Sequence, residues 1–173
     1  MSFLAAGVIS RDVTWRASVR RQWPEPIIRR RTLVDYKLQL VLIPVTDVDR
    51  AKAFYTEKVG FSLDVDHRAG DEFRVVQMTP SGSACSVSIG IGLTDSAPGS
   101  AKGMHLVVTD IEAARGDLVG RGVEVGDVRH LENGAWVPGP DPQHQDYGSF
   151  AHFNDPDGNT WVLQEVGYES AGA

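Results

Sequence analysis

Val45-Thr46-Asp47-Val48-Asp49-Arg50-Ala51 returns 63 residues later as Val108-Thr109-Asp110-Ile111-Glu112-Ala113-Ala114. In each copy an apolar stretch leads into an Asp. An Asp in that place predicts a helix N-cap, because its carboxylate accepts the free N–H groups of the first turn. Apolar residues then recur at helical spacing: Val48, Ala51 and Tyr55 in the first copy, Ile111, Ala114 and Leu118 in the second. Each predicted helix stops at a glycine followed by an apolar residue, Gly60-Phe61 and Gly122-Val123. Glycine is favoured there because it takes the left-handed conformation without a Cβ clash. A second echo pairs Thr79-Pro80-Ser81-Gly82 with Asp155-Pro156-Asp157-Gly158, each a tight turn ahead of a last strand.

The repeat decides the fold class. Each copy reads strand, helix, strand, strand, strand, so the chain is expected to be α+β, built of two βαβββ modules. In module one (37–93) strands are predicted near 38–46, 61–68, 72–79 and 84–92, with a helix over 47–58. In module two (103–168) they are predicted near 103–109, 123–130, 147–154 and 159–166, with a helix over 110–121. The second copy is longer by an insertion over 131–146 that is rich in Gly, Pro and polar residues and carries Trp136. Loops of this length in a compact domain serve as lids or are disordered. Residues 1–36 read as a basic, flexible arm and 169–173 as a tail.

Charge divides along the same boundary. Residues 1–36 hold seven arginines against Asp12, Glu25 and Asp35, a net of +4, whereas the rest of the chain carries −10 within an overall −6. An acidic body argues against generic nucleic-acid binding. Pro24 and Pro26 interrupt the arm, which argues against an amphipathic leader. The first residue of the folded part is expected near Leu38, and a true start near Lys37 fits the same reading. The longest apolar run, Leu40–Val45, is far too short to span a bilayer. Cys85 is alone, so neither an internal disulfide nor a multi-thiolate zinc site can form, and a reducing cytoplasm is the expected setting.

The two βαβββ modules, the phrase Pro44-Val45-Thr46-Asp47-Val48-Asp49-Arg50-Ala51-Lys52-Ala53-Phe54-Tyr55 and the closing Asp155-Pro156-Asp157-Gly158-Asn159 together resemble the glyoxalase/bleomycin-resistance/extradiol-dioxygenase superfamily, the vicinal oxygen chelate proteins. The resemblance covers about residues 37–168. It implies a curved sheet from each module, the two forming an open barrel-like cleft. Many members hold a divalent metal there; others bind none and sequester a drug or metabolite. The metal positions that the resemblance implies fall on Leu40, Ser86, Gly103 and Val162. Leu, Gly and Val offer no lone pair, and a lone serine hydroxyl is a poor ligand. The resemblance, with these departures, points to a small-molecule-binding protein without metal or cofactor, acting as a homodimer. The alternatives are a lyase or isomerase using His105 or a non-standard metal set, and a partner-binding module docking through the basic arm.

Strand alternation extends the cleft face from Leu40, Ser86, Gly103 and Val162 to Leu42, Ser88, His105 and Gln164. His105 reads either as a polar anchor or base in an apolar pocket, or as a core histidine. Glu165 is out of phase with Val162 and should point away. His152 has no readable phase; beside His105 it would make half a metal site. His130 and His144 flank the insertion and read as solvated loop residues. Trp136, Tyr147 and Phe150 are candidate aromatic walls, with Trp136 the foremost ligand contact and the insertion a lid. Cys85 reads as a buried apolar filler. The ligand is expected to be largely apolar or aromatic, held by Leu40, Leu42, Ser88, Gly103, His105, Trp136, Val162 and Gln164.

Overall fold

The computed structural model describes residues 34–168. Only residues 34–36 of the basic arm fall within that range, and the tail over 169–173 lies outside it. Both aspartates cap as their positions predict: Asp47 accepts from the Arg50 N–H at 3.0 Å and Asp110 from the Ala113 N–H at 2.8 Å. Helix α1 (Val48–Ala53) runs on as a wider π-helical turn over Phe54–Val59, and Gly60 ends it at φ 88°. Helix α2 (Ile111–Gly120) is followed by Gly122 at φ 79°.

Strands β1 (Leu40–Leu42), β2 (Ser62–Ala69), β3 (Phe73–Thr79) and β4 (Ser86–Ile91) form one sheet in the order β1-β4-β3-β2. Strands β5 (Met104–Val108), β6 (Arg129–Glu132), β7 (Ala135–Pro138), β8 (Ser149–Asn154) and β9 (Thr160–Glu165) form the other, in the order β5-β9-β8-β6-β7. In each sheet the strand before the helix pairs in parallel with the last strand of its module, and the remaining pairs are antiparallel. The result, among the described residues, is a mixed α+β fold of two open sheets with no closed barrel.

Three elements differ from expectation. The strand predicted over 123–130 is reduced to a single bridge, Val125 to Phe153, and regular pairing begins only at Arg129. The insertion, expected as an irregular loop, supplies the β6–β7 hairpin. Its two-residue turn, Asn133-Gly134, has both residues at positive φ (50° and 82°), the conformation that matches the twist of a hairpin. Strand β1 is also shorter than predicted.

One face of each sheet packs into a common core. Ile43, Val76, Met78 and Ile89 come from the first sheet, Ala151, Phe153, Trp161 and Leu163 from the second, with Ala51, Tyr55, Ile111 and Leu118 between them. A buried polar joint ties the modules together. Tyr55 Oη donates to Asp155 Oδ2 at 2.8 Å and accepts from Trp161 Nε1 at 3.2 Å. Asn159 Nδ2 donates to Asp155 Oδ2 at 2.7 Å and to the Pro44 carbonyl at 3.0 Å. Burial, and then the Asp155 charge, push the Tyr55 phenol far above its ordinary pKa, so it stays a donor. The Asp-Pro-Asp-Gly-Asn phrase is therefore an internal joint as well as a turn.

Candidate functional site

Packing one face of each sheet leaves the other open. On the first sheet the parallel pairs Leu40–Ser86 and Leu42–Ser88 lie on this face. The leucines are 38% and 39% exposed and the serines beneath them are buried. Ser86 Oγ is 2.7 Å from Thr79 Oγ1 and accepts from Gln77 Nε2 at 3.3 Å. Ser88 Oγ has no hydrogen-bond partner among the described residues.

The open face of the second sheet carries the chemistry. One row across β5, β9 and β8 is His105, Val162, His152; the next, extended to β6, is Val107, Gln164, Phe150, Arg129. His105 Nδ1 lies 3.0 Å from Gln164 Oε1, where an Nδ1–H donates to the amide oxygen. His152 is pushed below the ordinary imidazole range, first by burial and then by the charges of Arg129 and His105. The Arg129 guanidinium carbon stands 4.6 Å over the centre of the Trp136 ring, and Trp136 meets Phe150 edge to face at 5.5 Å. A depression of about 480 Å³ is lined by Val128, Arg129, Trp136, Pro138 and His152. Another, of about 510 Å³, lies on the hairpin and insertion, between Leu131, Trp136, Tyr147 and Phe150. An apolar groove of about 260 Å³ lies between the edge strands β1 and β5, with Val41, Val87, Leu106 and His105 in its walls.

The residues expected to line one cleft thus divide. Leu40, Leu42 and Ser88 lie on the first open face; His105, Val162 and Gln164 lie on the second. Trp136 is 52% exposed but sits in β7 as a fixed wall, where a mobile lid was expected. Gly103 precedes β5 at φ 67°, its N–H donating to Thr160 Oγ1 at 2.7 Å. The residue opposite Val162 is His105, so the place expected to be vacated by Gly103 holds an imidazole. The modules agree at the helix cap yet are offset by two residues at the sheet, which preserves the face and changes the occupant.

Of the histidines flanking the insertion, expected to be solvated, His130 is buried and His144 half-buried. His130 Nδ1 is 2.9 Å from the Gly139 carbonyl, and His144 Nδ1 is 2.9 Å from Glu165 Oε2. Glu165 points into the core. Cys85 is half-buried just ahead of β4, not a core filler. His152, whose phase the sequence left open, shares the face of His105. Arg129 was not singled out, because its place beside Trp136 depends on the hairpin.

The donor set does not fit a metal ion. Of the implied positions, Leu40 faces Ser86 across one sheet and Val162 faces His105 across the other. Among the described residues no three His, Cys, Asp or Glu side chains come together as a metal centre needs. No described helix is long and apolar enough to cross a membrane.

Comparison with known proteins gives the same fold. Residues 37–163 match the family model of the Glyoxalase/Bleomycin resistance protein/Dioxygenase superfamily. The uncharacterized protein YetH of Bacillus subtilis (strain 168) is 30% identical over 125 residues, 72% of this chain and 94% of the relative. TnmS3, an antibiotic binding protein from Streptomyces sp. CB03234, is 32% identical with a TM-score of 0.60, over 77% of this chain and 98% of the other. A member of the same superfamily from Sphaerobacter thermophilus DSM 20745 is 26% identical with a TM-score of 0.61, over 78% and 100%.

Proposed function

The chain belongs to the Glyoxalase/Bleomycin resistance protein/Dioxygenase superfamily, and on that premise we propose that it binds and sequesters a small, largely apolar or aromatic molecule without using a metal ion. The observation that carries this reading is the open face of the second sheet. There Val107, Phe150 and Trp136, with Val162 buried beneath, offer apolar and aromatic surface around one hydrogen-bonded polar pair, His105 and Gln164. Binding sites for small molecules are built this way, with few polar groups fixing orientation in a mostly apolar wall. Leu40 and Leu42 offer further apolar surface on the first sheet, with the orphaned Ser88 hydroxyl buried beneath them. Gly103 borders the site. The antibiotic binding by TnmS3 supports a small-molecule ligand. The lone Cys85 fits residence in a reducing cytoplasm.

The test is a thermal-shift screen of aromatic antibiotics and metabolites against the full chain, since a ligand that binds only the folded state raises the melting temperature. For a hit, His105→Ala is expected to weaken binding by about 1–3 kcal/mol, the cost of leaving a buried ligand group unpaired. A chelator should leave the affinity unchanged and the ligand should be recovered intact. Loss of binding on chelation, or conversion of the ligand, would reject the reading.

A further inference from the structure

Six arginines lie among the described residues, and five of them pair with aspartates: Arg50 with Asp157, Arg68 with Asp71, Arg74 with Asp66 and Asp49, Arg115 with Asp127, and Arg121 with Asp117. Arg129 is the exception. Its guanidinium lies over the Trp136 ring, and no carboxylate among the described residues pairs with it. Asp127, the acidic residue in the same depression, is already engaged by Arg115 Nη2 at 2.9 Å. The depression therefore joins an aromatic face, apolar walls from Val128 and Pro138, and a cationic fork without a counter-charge.

Resting on the binding reading above, we propose that the ligand is a planar aromatic anion, a ring system carrying a carboxylate or phenolate, with its ring against Trp136 and its anionic oxygens on Arg129 beside His152. The guanidinium presents parallel N–H donors that match a carboxylate two-to-two, and the indole packs a ring edge to face or offset. A volume of about 480 Å³ accepts two or three fused rings. His152 reinforces the geometry. Burial and the neighbouring Arg129 disfavour its imidazolium, so an arriving anion meets a neutral ring able to donate one N–H, and its charge offsets what holds the proton off.

The test compares 2-naphthoate with its uncharged isostere 2-naphthamide, titrated calorimetrically into the full chain. The anion is expected to bind about tenfold more tightly, the worth of one charge-assisted pair at a partly exposed site. Arg129→Gln should remove that preference, weakening 2-naphthoate while leaving 2-naphthamide within about twofold, and Trp136→Ala should weaken both. A melting curve like that of the parent confirms that Arg129→Gln folds. If it melts early, Arg129→Lys, which keeps the charge and loses the fork, is expected to keep only a fraction of the preference. The His152 ring signals followed by NMR should titrate at higher pH with 2-naphthoate bound, and not with 2-naphthamide. Equal affinity for the two probes, or a preference that survives Arg129→Gln, would overturn the proposal and leave the binding function standing. Failure of either probe to bind, together with an empty ligand screen, would overturn both.

Discussion

Glu165 is 1% exposed, and its carboxylate accepts from the Ile111 N–H at 3.1 Å, from His144 Nδ1 at 2.9 Å and from Ser149 Oγ at 3.2 Å. The first of these donors belongs to the opening turn of α2, where the helix dipole favours a negative charge. The second comes from the insertion. His144 sits at φ 48° and Tyr147 at φ 65°, conformations that non-glycine residues hold only when their surroundings over-determine them. The surroundings here do so: His144 stacks on Tyr168 with ring centres 3.7 Å apart, and the Tyr147 N–H donates to the Glu165 carbonyl at 2.8 Å. Glu165 thus anchors the insertion to α2 and stands outside the open face. Glu165→Gln turns one acceptor oxygen into an N–H₂ group that faces donors. We expect it to lower stability by about 1–3 kcal/mol in urea denaturation and to leave ligand affinity nearly unchanged. Parent-like stability with lost binding would place Glu165 in the site instead.

At the scale of elements, α1 is clamped to the β2–β3 hairpin by charge. Arg74, 11% exposed at its side chain, holds Asp66 through two bonds of 3.0 Å and Asp49 of α1 at 2.8 Å, while Lys52 of α1 reaches Asp66 at 2.7 Å. Hydrogen bonds from Arg74 hold both carboxyls below the usual carboxylate range, with Lys52 adding to the effect on Asp66. A depressed folded pKa contributes stability that is fully present above the unfolded value, about 4, and is lost as pH falls through the folded values. The stability gap between the parent chain and Arg74→Leu should therefore hold steady above about pH 5 and shrink steadily below about pH 4. A gap that widens on acidification would rule the clamp out. The helices of these modules were legible in the sequence because their signals are local: an aspartate at each cap and a glycine at each end. Most strands were legible by alternation. The Asn133-Gly134 turn is also a local signal, but the Gly, Pro and polar residues around it read equally as a loop. What local pattern does not carry is which strands pair. The two-residue offset that sets His105 opposite Val162, and the placing of Arg129 beside Trp136, both arise from pairing between distant segments. Counting along a strand therefore puts His105 and Gln164 on the open face, and it carries no signal for Arg129.

For the molecule as a whole, what stands out is the uneven treatment of the sheet faces. The inner faces are buried in one core, while several large apolar side chains are left exposed on and around the outer ones: Leu40 and Leu42 on the first sheet, Val107 at 59% and Trp136 at 52% on the second, with Leu131 at 56% and Tyr147 at 60% at the hairpin and insertion. Exposed apolar residues scattered singly are ordinary, but their grouping on the open sheet faces marks a surface that something covers. A small ligand covers part of the second face and leaves the leucines of the first in water. A second copy, related by a two-fold axis, covers both at once, because each chain presents the patch and receives its partner's. We expect light scattering at micromolar concentration to give twice the 18.8 kDa of one chain, with a melting temperature that rises with protein concentration, as linkage to association requires. Val107→Glu places a charge on the β5 edge of the second face, where desolvating it against a partner is costly, and should shift the mass toward that of a single chain. A single-chain mass for the parent protein would reject the dimer. If the dimer forms and Val107→Glu weakens ligand binding along with association, the leucine wall facing His105 and Gln164 comes from the neighbouring chain; if association is lost and binding is kept, each chain carries its site alone.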